Sequence, residues 1–422
     1  MRRPRGASRI GLALAGGGPL GAIYEIGALC ALEEALPGLD FTALDAYLGV
    51  SAGGFIAAGL ANGLSPRQLC EAFIENRESD DVLHPSLFVR PAWGEFAQRL
   101  ASLPGLVAQT GWRAAWGRES LLSALERLGR ALPAGVFSTA QLEAHLQRIF
   151  SAPGRSNDFR ALSRRLVLVA TDLDTGEAAP FGLPGWDDVP ISRAVAASAA
   201  LPGLFPPVEI KGRHYADGAL KKTLHASVLL DEGMDLLLCL NPLVPFHSTQ
   251  GMRRGVGAGA IPRLTEGGLP LLLSQTLRSL IHSRLALGLQ GYARSHPDAD
   301  VLLFEPEHHD TELFLANTFS YGGRRRLAEH AYQSTRQMLR TRRSLLRPQL
   351  ARHGVALNDE VLDDPARRLL GPAEEAAAAR PARAARRTLR QLDQTLDELE
   401  AVLALQAPPR ARRGRRPAAQ PR

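Results

Sequence analysis

The segment GVSAG at residues 49–53 constrains the fold of this chain more than any other short stretch. It follows the apolar run DAYLGV, which predicts a buried strand, and precedes AGGFIAAGLANGL, whose small residues predict a closely packed helix. A serine between small residues at a sharp turn from strand to helix is typical of a nucleophile elbow. We therefore expect Ser51 to present its hydroxyl at the end of a strand.

Apolar runs of strand length alternate with helical runs along the first 245 residues. Strands are predicted at 9–15, 45–50, 166–171 and 235–241, and helices at 22–36 and 191–201. This alternation favours a mostly parallel sheet covered by helices on both faces. The predicted fold class is α/β, a three-layer α/β/α arrangement with a mostly parallel central sheet and a helical C-terminal extension.

A glycine-rich loop, GGGPLG at residues 16–21, lies between the first predicted strand and the first predicted helix. Glycines there let several backbone N–H groups point into one space at a helix N-terminus, which stabilises negative charge. The loop also matches the dinucleotide-binding pattern, which expects an acidic residue at the end of the next strand. That strand ends at Ser51 and Asp40 precedes it, so an oxyanion site is favoured over a nucleotide site.

A third motif, Asp217-Gly218-Ala219, ends the segment VEIKGRHYADGA, which predicts a short hairpin. Taken alone, an Asp-Gly pair predicts only a turn. A serine nucleophile, however, needs a base within hydrogen-bond reach and donors for the oxyanion of the tetrahedral intermediate. The three motifs together offer one of these parts each.

In this combination and order, the chain resembles the patatin-like phospholipases. Two further segments match: ATDLDTGE at 170–177 resembles the strand between elbow and base, and ASAALP at 197–202 resembles the A-S-x-x-x-P block of the family. The resemblance covers residues 10–245, and the agreement of five segments in family order is far more specific than any single motif.

The resemblance implies a catalytic dyad without histidine, in which Ser51 attacks an acyl ester and Asp217 accepts its proton and later activates water. It places the oxyanion hole at Gly16, Gly17, Gly18 and Gly21, with Gly17 and Gly18 as the main donors. The elbow and the turn after the base then comprise Gly49, Val50, Ala52, Gly53, Gly218 and Ala219. Leu20 stands where the family usually has Lys or Arg, so a counter-charge for an anionic headgroup is missing and neutral esters stay open.

Two alternatives remain open at this point. A conventional Ser-His-Asp hydrolase would use a downstream histidine, such as His225, as its base. A non-catalytic lipid-binding scaffold with the same fold would need none of the three motifs. Asp172 and Asp174 are further candidate acids, and we interpret both as structural turn residues.

The charge of the chain is concentrated at its ends. Four arginines lie in the first nine residues and six in the last thirteen, so the net charge of +7 does not describe the middle, which is slightly acidic. The predicted division begins with a basic arm at 1–8 and a catalytic domain at 9–245, which carries a helical, aromatic-rich insertion near 84–150. A mainly helical part at 246–370 is expected to pack on the catalytic domain. An Ala/Arg-rich segment with a short heptad helix at 371–407 and a disordered basic tail at 408–422 follow.

Partners and location are predicted more coarsely. The apolar helix expected at 267–292 favours a core or acyl-pocket role over membrane contact, and the heptad leucines of Leu389–Leu403 allow self-association or docking on the body. Three cysteines without metal-ligand spacing indicate a reducing compartment, and no run of about 18 apolar residues predicts a transmembrane helix. We expect a cytoplasmic enzyme for a lipid or acyl ester, with peripheral membrane contact open and no metal, cofactor or nucleic acid.

Overall fold

The computed structural model describes residues 8–75, 135, 137–246, 268–315 and 321–371. All of them belong to one compact unit. The aromatic segment 84–118, the heptad helix and the basic tail lie outside the described residues, as does nearly all of the basic arm. The expectations about these segments, and the predicted domain boundaries, therefore stay predictions.

The described residues form an eight-stranded sheet. Strands β1 to β8 span Ile10–Leu14, Ala46–Val50, Arg165–Asp172, Ala178–Phe181, Val208–Ile210, Arg213–Asp217, Leu236–Leu240 and Asp300–Phe304. Their spatial order is β5-β6-β3-β2-β1-β7-β8, and β4 also pairs with β3. The strands β3, β2, β1, β7 and β8 run parallel to one another. Strands β4 and β6 each pair antiparallel with β3, and β5 pairs antiparallel with β6. The predicted mostly parallel α/β sheet is confirmed.

Helices cover the sheet and form the C-terminal part of the described chain. Helices α1 to α11 span Gly18–Ala35, Ala52–Ala61, Pro66–Cys70, Ala140–Phe150, Ile191–Ser198, Ser227–Asp231, Gly268–Ser295, Thr311–Leu315, Tyr321–Thr341, Arg343–Arg352 and Asp359–Asp363. A π-helical turn, Glu71–Glu75, continues α3, and two 3₁₀ turns lie at Phe159–Ala161 and Gly218–Leu220.

Two apolar layers enclose the central strands. In β1, Leu12 and Leu14 join the core on one face of the sheet, while Ala13 and the following Ala15 join the core on the other. Side chains of a strand alternate between its faces, so a strand covered on both sides needs apolar residues at every position. This requirement explains why the central strands read as continuous apolar runs.

Three details differ from the sequence-based expectations. Helix α1 begins at Gly18 and not at residue 22, because Pro19 has the fixed φ and missing N–H that suit a first helical turn. Strands β4 and β8 were not predicted, and β8 lies within the part expected to be mainly helical. Helix α7 forms where expected, but its apolar residues divide between a buried face with Ile281 and Leu285 and an exposed face with Leu280 and Leu287.

No helix within the described ranges combines the length and hydropathy that crossing a bilayer requires.

Candidate active site

Ser51 lies at the sharp junction between β2 and α2. Its backbone has φ 54° and ψ −121°, a conformation that non-glycine residues rarely adopt and that costs of order 1–3 kcal/mol. Val50 before it is buried in β2, and Ala52 after it opens α2. The sequence therefore predicted the position of the turn, and the structure adds a strained serine at its apex.

The two glycines of the elbow allow β1, β2 and α2 to approach closely. A methyl group at Gly53 would lie 2.5 Å from the Ala15 carbonyl oxygen, and one at Gly49 would lie 2.4 Å from the Gly54 Cα. Real side chains do not tolerate such distances without a shift of the backbone. The small residues around Ser51 thus hold the start of α2 against the ends of two parallel strands.

Helix α5 fixes the elbow from behind. The Ser198 hydroxyl accepts a hydrogen bond from the Ser51 N–H at 2.8 Å and donates to the Val169 carbonyl at 2.6 Å. Two residues further on, the Ala200 carbonyl accepts the N–H of Asp217 at 3.0 Å. The segment that includes Ser198 and Ala200 therefore positions the backbones of both candidate catalytic residues. The sequence indicated a family resemblance for this segment but not this positioning role.

Asp217 ends β6 and lies 3% exposed beside the elbow. Burial raises the pKa of its carboxyl to about 6, while hydrogen bonds from the Ser51 side chain and the Ala219 N–H act in the opposite direction. The Ala219 N–H lies 2.9 Å from Oδ1, and the Thr171 hydroxyl donates to the Asp217 carbonyl oxygen at 3.0 Å. A methyl group at Gly218 would lie 2.2 Å from the Val169 carbonyl oxygen, so the turn needs glycine there.

The glycine loop meets Ser51 at the N-terminus of α1. Gly16 packs closely against the elbow, since a methyl group on its Cα would lie 3.0 Å from the Ser51 Cβ. Within the described chain, no acceptor binds the N–H of Gly16, Gly17 or Gly18. The expectation for Gly21 is corrected, because its N–H donates to the Gly17 carbonyl at 3.0 Å in the first turn of α1. Gly21 instead lets the loop pack against Pro242.

An apolar cavity opens beside Ser51 and includes about 720 Å³, counting space open to solvent. Its described lining is formed by Gly18, Pro19, Ala22, Ile23, Ser51, Ala52, Phe55, Phe73, Leu142, Val195, Ala199, Phe205 and Arg324. Helix α7 contributes none of these residues, whereas its Ile281 and Leu285 join the buried core, so of its two expected roles the described residues support the core role.

His225 lies behind the candidate base and has a different environment from Asp217. It is 3% exposed, and its Nε2 hydrogen-bonds with the Gly218 carbonyl at 3.2 Å. Burial lowers the pKa of its imidazole to about 4. Since a carbonyl can only accept, Nε2 carries the hydrogen in this contact and is not the nitrogen that could accept a proton.

The other candidate acids serve the loop after β3. Oδ1 of Asp172 accepts the Asp174 N–H at 2.9 Å, and Oδ2 accepts from the Arg213 guanidinium at 2.9 Å. Asp174 in turn accepts the His214 N–H at 3.2 Å. The interpretation of both aspartates as turn residues is confirmed. Across the described ranges, His, Cys, Asp and Glu side chains form no group of three that could hold a metal.

A model of the patatin-like phospholipase family matches residues 12–230, which include the glycine loop, the elbow and the Asp-Gly-Ala turn. The chain belongs to the patatin-like phospholipase family. Membership in this family supports a lipid acyl hydrolase activity. The matched range also includes Ser198, but not Arg324.

Solved structures that the chain matches include two bacterial proteins. VipD from Legionella pneumophila is 16% identical with a TM-score of 0.36, over 81% of this chain and 69% of VipD. The type III effector protein ExoU is 16% identical with a TM-score of 0.33, over 80% of this chain and 53% of ExoU. ExoU from Pseudomonas aeruginosa, solved in complex with SpcU, is 19% identical with a TM-score of 0.24, over 68% and 53%. The chain thus spans about half the length of ExoU.

Proposed function

We propose that this chain is a serine lipid acyl hydrolase that cleaves acyl esters through a Ser51–Asp217 dyad. The observation that carries the proposal is the placement of Asp217 at the end of β6, where its carboxyl is buried, interacts with the Ser51 side chain and has its pKa raised by burial to about 6. A base is most effective when its pKa lies near the working pH, since it is then ionised yet still basic. Asp217 meets this requirement and an ordinary exposed aspartate does not.

The proposed reaction has two halves. In the first, Ser51 Oγ attacks the ester carbonyl, Asp217 accepts the hydroxyl proton, and the proton passes to the leaving alcohol as the acyl-enzyme forms. In the second, Asp217 takes a proton from water, the resulting hydroxide attacks the acyl-enzyme, and Ser51 recovers its proton as the fatty acid leaves. In each half Asp217 accepts one proton, first from Ser51 and then from water, and gives it up again, so its carboxylate is regenerated.

The glycine loop supports charge stabilisation in both halves. Each tetrahedral intermediate places a negative charge on the former carbonyl oxygen, which backbone N–H donors fixed in advance stabilise. Gly16 lies against Ser51, and Gly17 and Gly18 follow at the N-terminus of α1. The helix dipole adds to the effect of their N–H groups, since its positive end faces the same space.

Labelling with a fluorophosphonate probe tests this proposal. We expect one covalent adduct per chain, located at Ser51 by peptide mass spectrometry, and turnover of medium-chain esters by the same preparation. Ser51→Ala should abolish both signals. A folded wild-type protein with neither adduct nor ester turnover would instead support the non-catalytic scaffold.

A further inference from the structure

The cavity beside Ser51 contains a buried cation. Arg324, in the first turn of α9, lines the cavity and is 6% exposed. Its Nη1 donates to the carbonyl oxygen of Phe73, another lining residue, at 2.9 Å. Among the lining residues that the structure describes, Arg324 is the one with a formal charge. A guanidinium held at the wall of an apolar cavity makes that cavity electrostatically favourable for an anion.

A comparison with the other buried arginine of α9 separates a structural role from one at the cavity. Arg336 donates to the carbonyl oxygens of Val361, Leu362 and Asp364, which tie α9 to the following segment, and it does not line the cavity. Arg324 lies in the first turn of α9, where its guanidinium borders the cavity that Ser51 also lines. The two residues share charge and burial but differ in what they face.

Arg324 supplies a positive charge that the glycine loop lacks. Leu20 occupies the loop position at which a basic residue would be expected, and it packs partly buried against the core. The loop itself therefore brings no cation to the site. Arg324 brings one from a helix that begins some 300 residues later in the chain, on the wall of the same cavity.

We infer that Arg324 is a specificity residue that recognises an anionic group, a phosphate or a carboxylate, on the acyl-ester substrate. The inference rests on the proposed hydrolase function. The apolar lining, including Phe55, Phe73 and Phe205, takes the acyl chain, and the guanidinium forms charge-assisted hydrogen bonds with the anion. Substrates of this class are acyl esters that carry a negative charge as well as a hydrocarbon chain.

Two matched substrate pairs test the inference with purified full-length protein. The phosphate pair is dioctanoyl phosphatidic acid and dioctanoylglycerol; the carboxylate pair is the mono-4-nitrophenyl ester of suberic acid and 4-nitrophenyl octanoate. We expect Arg324→Gln to lower kcat/KM at least about tenfold for the anionic member of a pair and less than about threefold for its neutral member. The pair that responds identifies phosphate or carboxylate as the recognised group.

Arg326→Gln is the matched control. Arg326 lies on the same helix, its side chain is 75% exposed, and it pairs with Glu312. This variant loses the same charge outside the cavity and should leave all four rates unchanged. Equal losses for anionic and neutral substrates in Arg324→Gln, or no preference in the wild type, would overturn the inference.

Two further measurements keep the test decisive. If Arg324→Gln does not fold, Arg324→Lys replaces it, because lysine retains the charge and the anion preference should then persist. Independently, Ser51→Ala protein should gain more thermal stability from dioctanoyl phosphatidic acid or the suberate monoester than from their neutral partners. Equal shifts would contradict the inference. Fluorophosphonate labelling does not depend on the anionic group: labelled protein without anion preference overturns this inference alone, whereas unlabelled protein overturns the proposed function.

Discussion

The Ser198 hydroxyl stands between the Ser51 N–H and the Val169 carbonyl, at 2.8 Å and 2.6 Å. It links the candidate nucleophile to the neighbouring strand β3 through a side chain that is fully buried. A backbone as strained as that of Ser51 persists only when its surroundings determine it from several sides. Ser198 therefore acts as a positioning residue for the elbow.

Replacing Ser198 should separate positioning from binding. Ser198→Ala leaves the Ser51 N–H and the Val169 carbonyl without this partner, and we expect kcat to fall about tenfold with KM little changed. Ser198→Thr, which keeps the hydroxyl, should restore part of the rate. The matched control is Ser192→Ala on the same helix, where the lost hydroxyl accepts from Asn157. Similar losses in both alanine variants would contradict a specific role for Ser198.

Asp217 should lower the stability of the protein at neutral pH. Its folded pKa of about 6 lies above the ordinary 3.8, so folding becomes less favourable as the pH rises from 4 to 6, by about 3 kcal/mol at most, and the loss persists above that window. Asp217→Asn removes this buried charge and should raise Tm at pH 8, by an amount that shrinks towards pH 5. Thermal unfolding followed by circular dichroism measures this, and a lower Tm at pH 8 is the opposite outcome.

The pH profile of the reaction should report the same carboxyl. Because Asp217 must be ionised to accept the Ser51 proton, kcat/KM should rise with a single ionisation centred near pH 6 and level off above it. His225, with its pKa lowered to about 4, would place the rise two units lower if it were the base. A midpoint near 4 in the wild type, or a profile that moves in His225→Ala, would speak for histidine.

Neighbouring glycines of α2 should respond in opposite ways to alanine. A methyl group at Gly53 would lie 2.5 Å from the Ala15 carbonyl oxygen, and we expect Gly53→Ala to destabilise the protein by about 1–3 kcal/mol. At Gly54 the nearest atom, Leu168 Cδ2, lies at an ordinary 3.5 Å, so Gly54→Ala should be neutral or stabilising by up to about 1 kcal/mol. Denaturant unfolding compares the two, and equal effects would show that the close approach of α2 to β1 does not matter.

Local sequence carries much of this architecture. The central strands were predictable because burial on both faces demands apolar residues at every position, and Ser51 because a sharp turn demands small neighbours. Asp217 was predicted only through family resemblance, since an Asp-Gly pair by itself indicates a turn. The Gly21 amide was assigned wrongly, because helix α1 begins earlier than the apolar pattern suggested and uses that N–H in its first turn.

The remaining parts of the site depend on contacts between distant residues. Ser198 lies 147 positions from the serine that it supports, and no periodicity of α5 distinguishes it from an ordinary buried serine. Arg324 reaches the cavity because α9 packs along α1, where the Ala328 carbonyl lies 2.4 Å from the place of a Gly27 methyl group. Such approaches follow from the folded arrangement of helices and strands, so local sequence patterns do not reveal them.

The Ser51–Asp217 dyad is tested most directly by the ester hydrolysis rates of Asp217→Asn and His225→Ala, measured beside the wild type at pH 8. A dyad predicts that Asp217→Asn loses at least about a thousandfold in kcat while His225→Ala stays within about tenfold. Circular dichroism spectra and thermal unfolding curves check that both variants are folded. Full activity in Asp217→Asn, or a thousandfold loss in His225→Ala with an intact fold, would contradict the account.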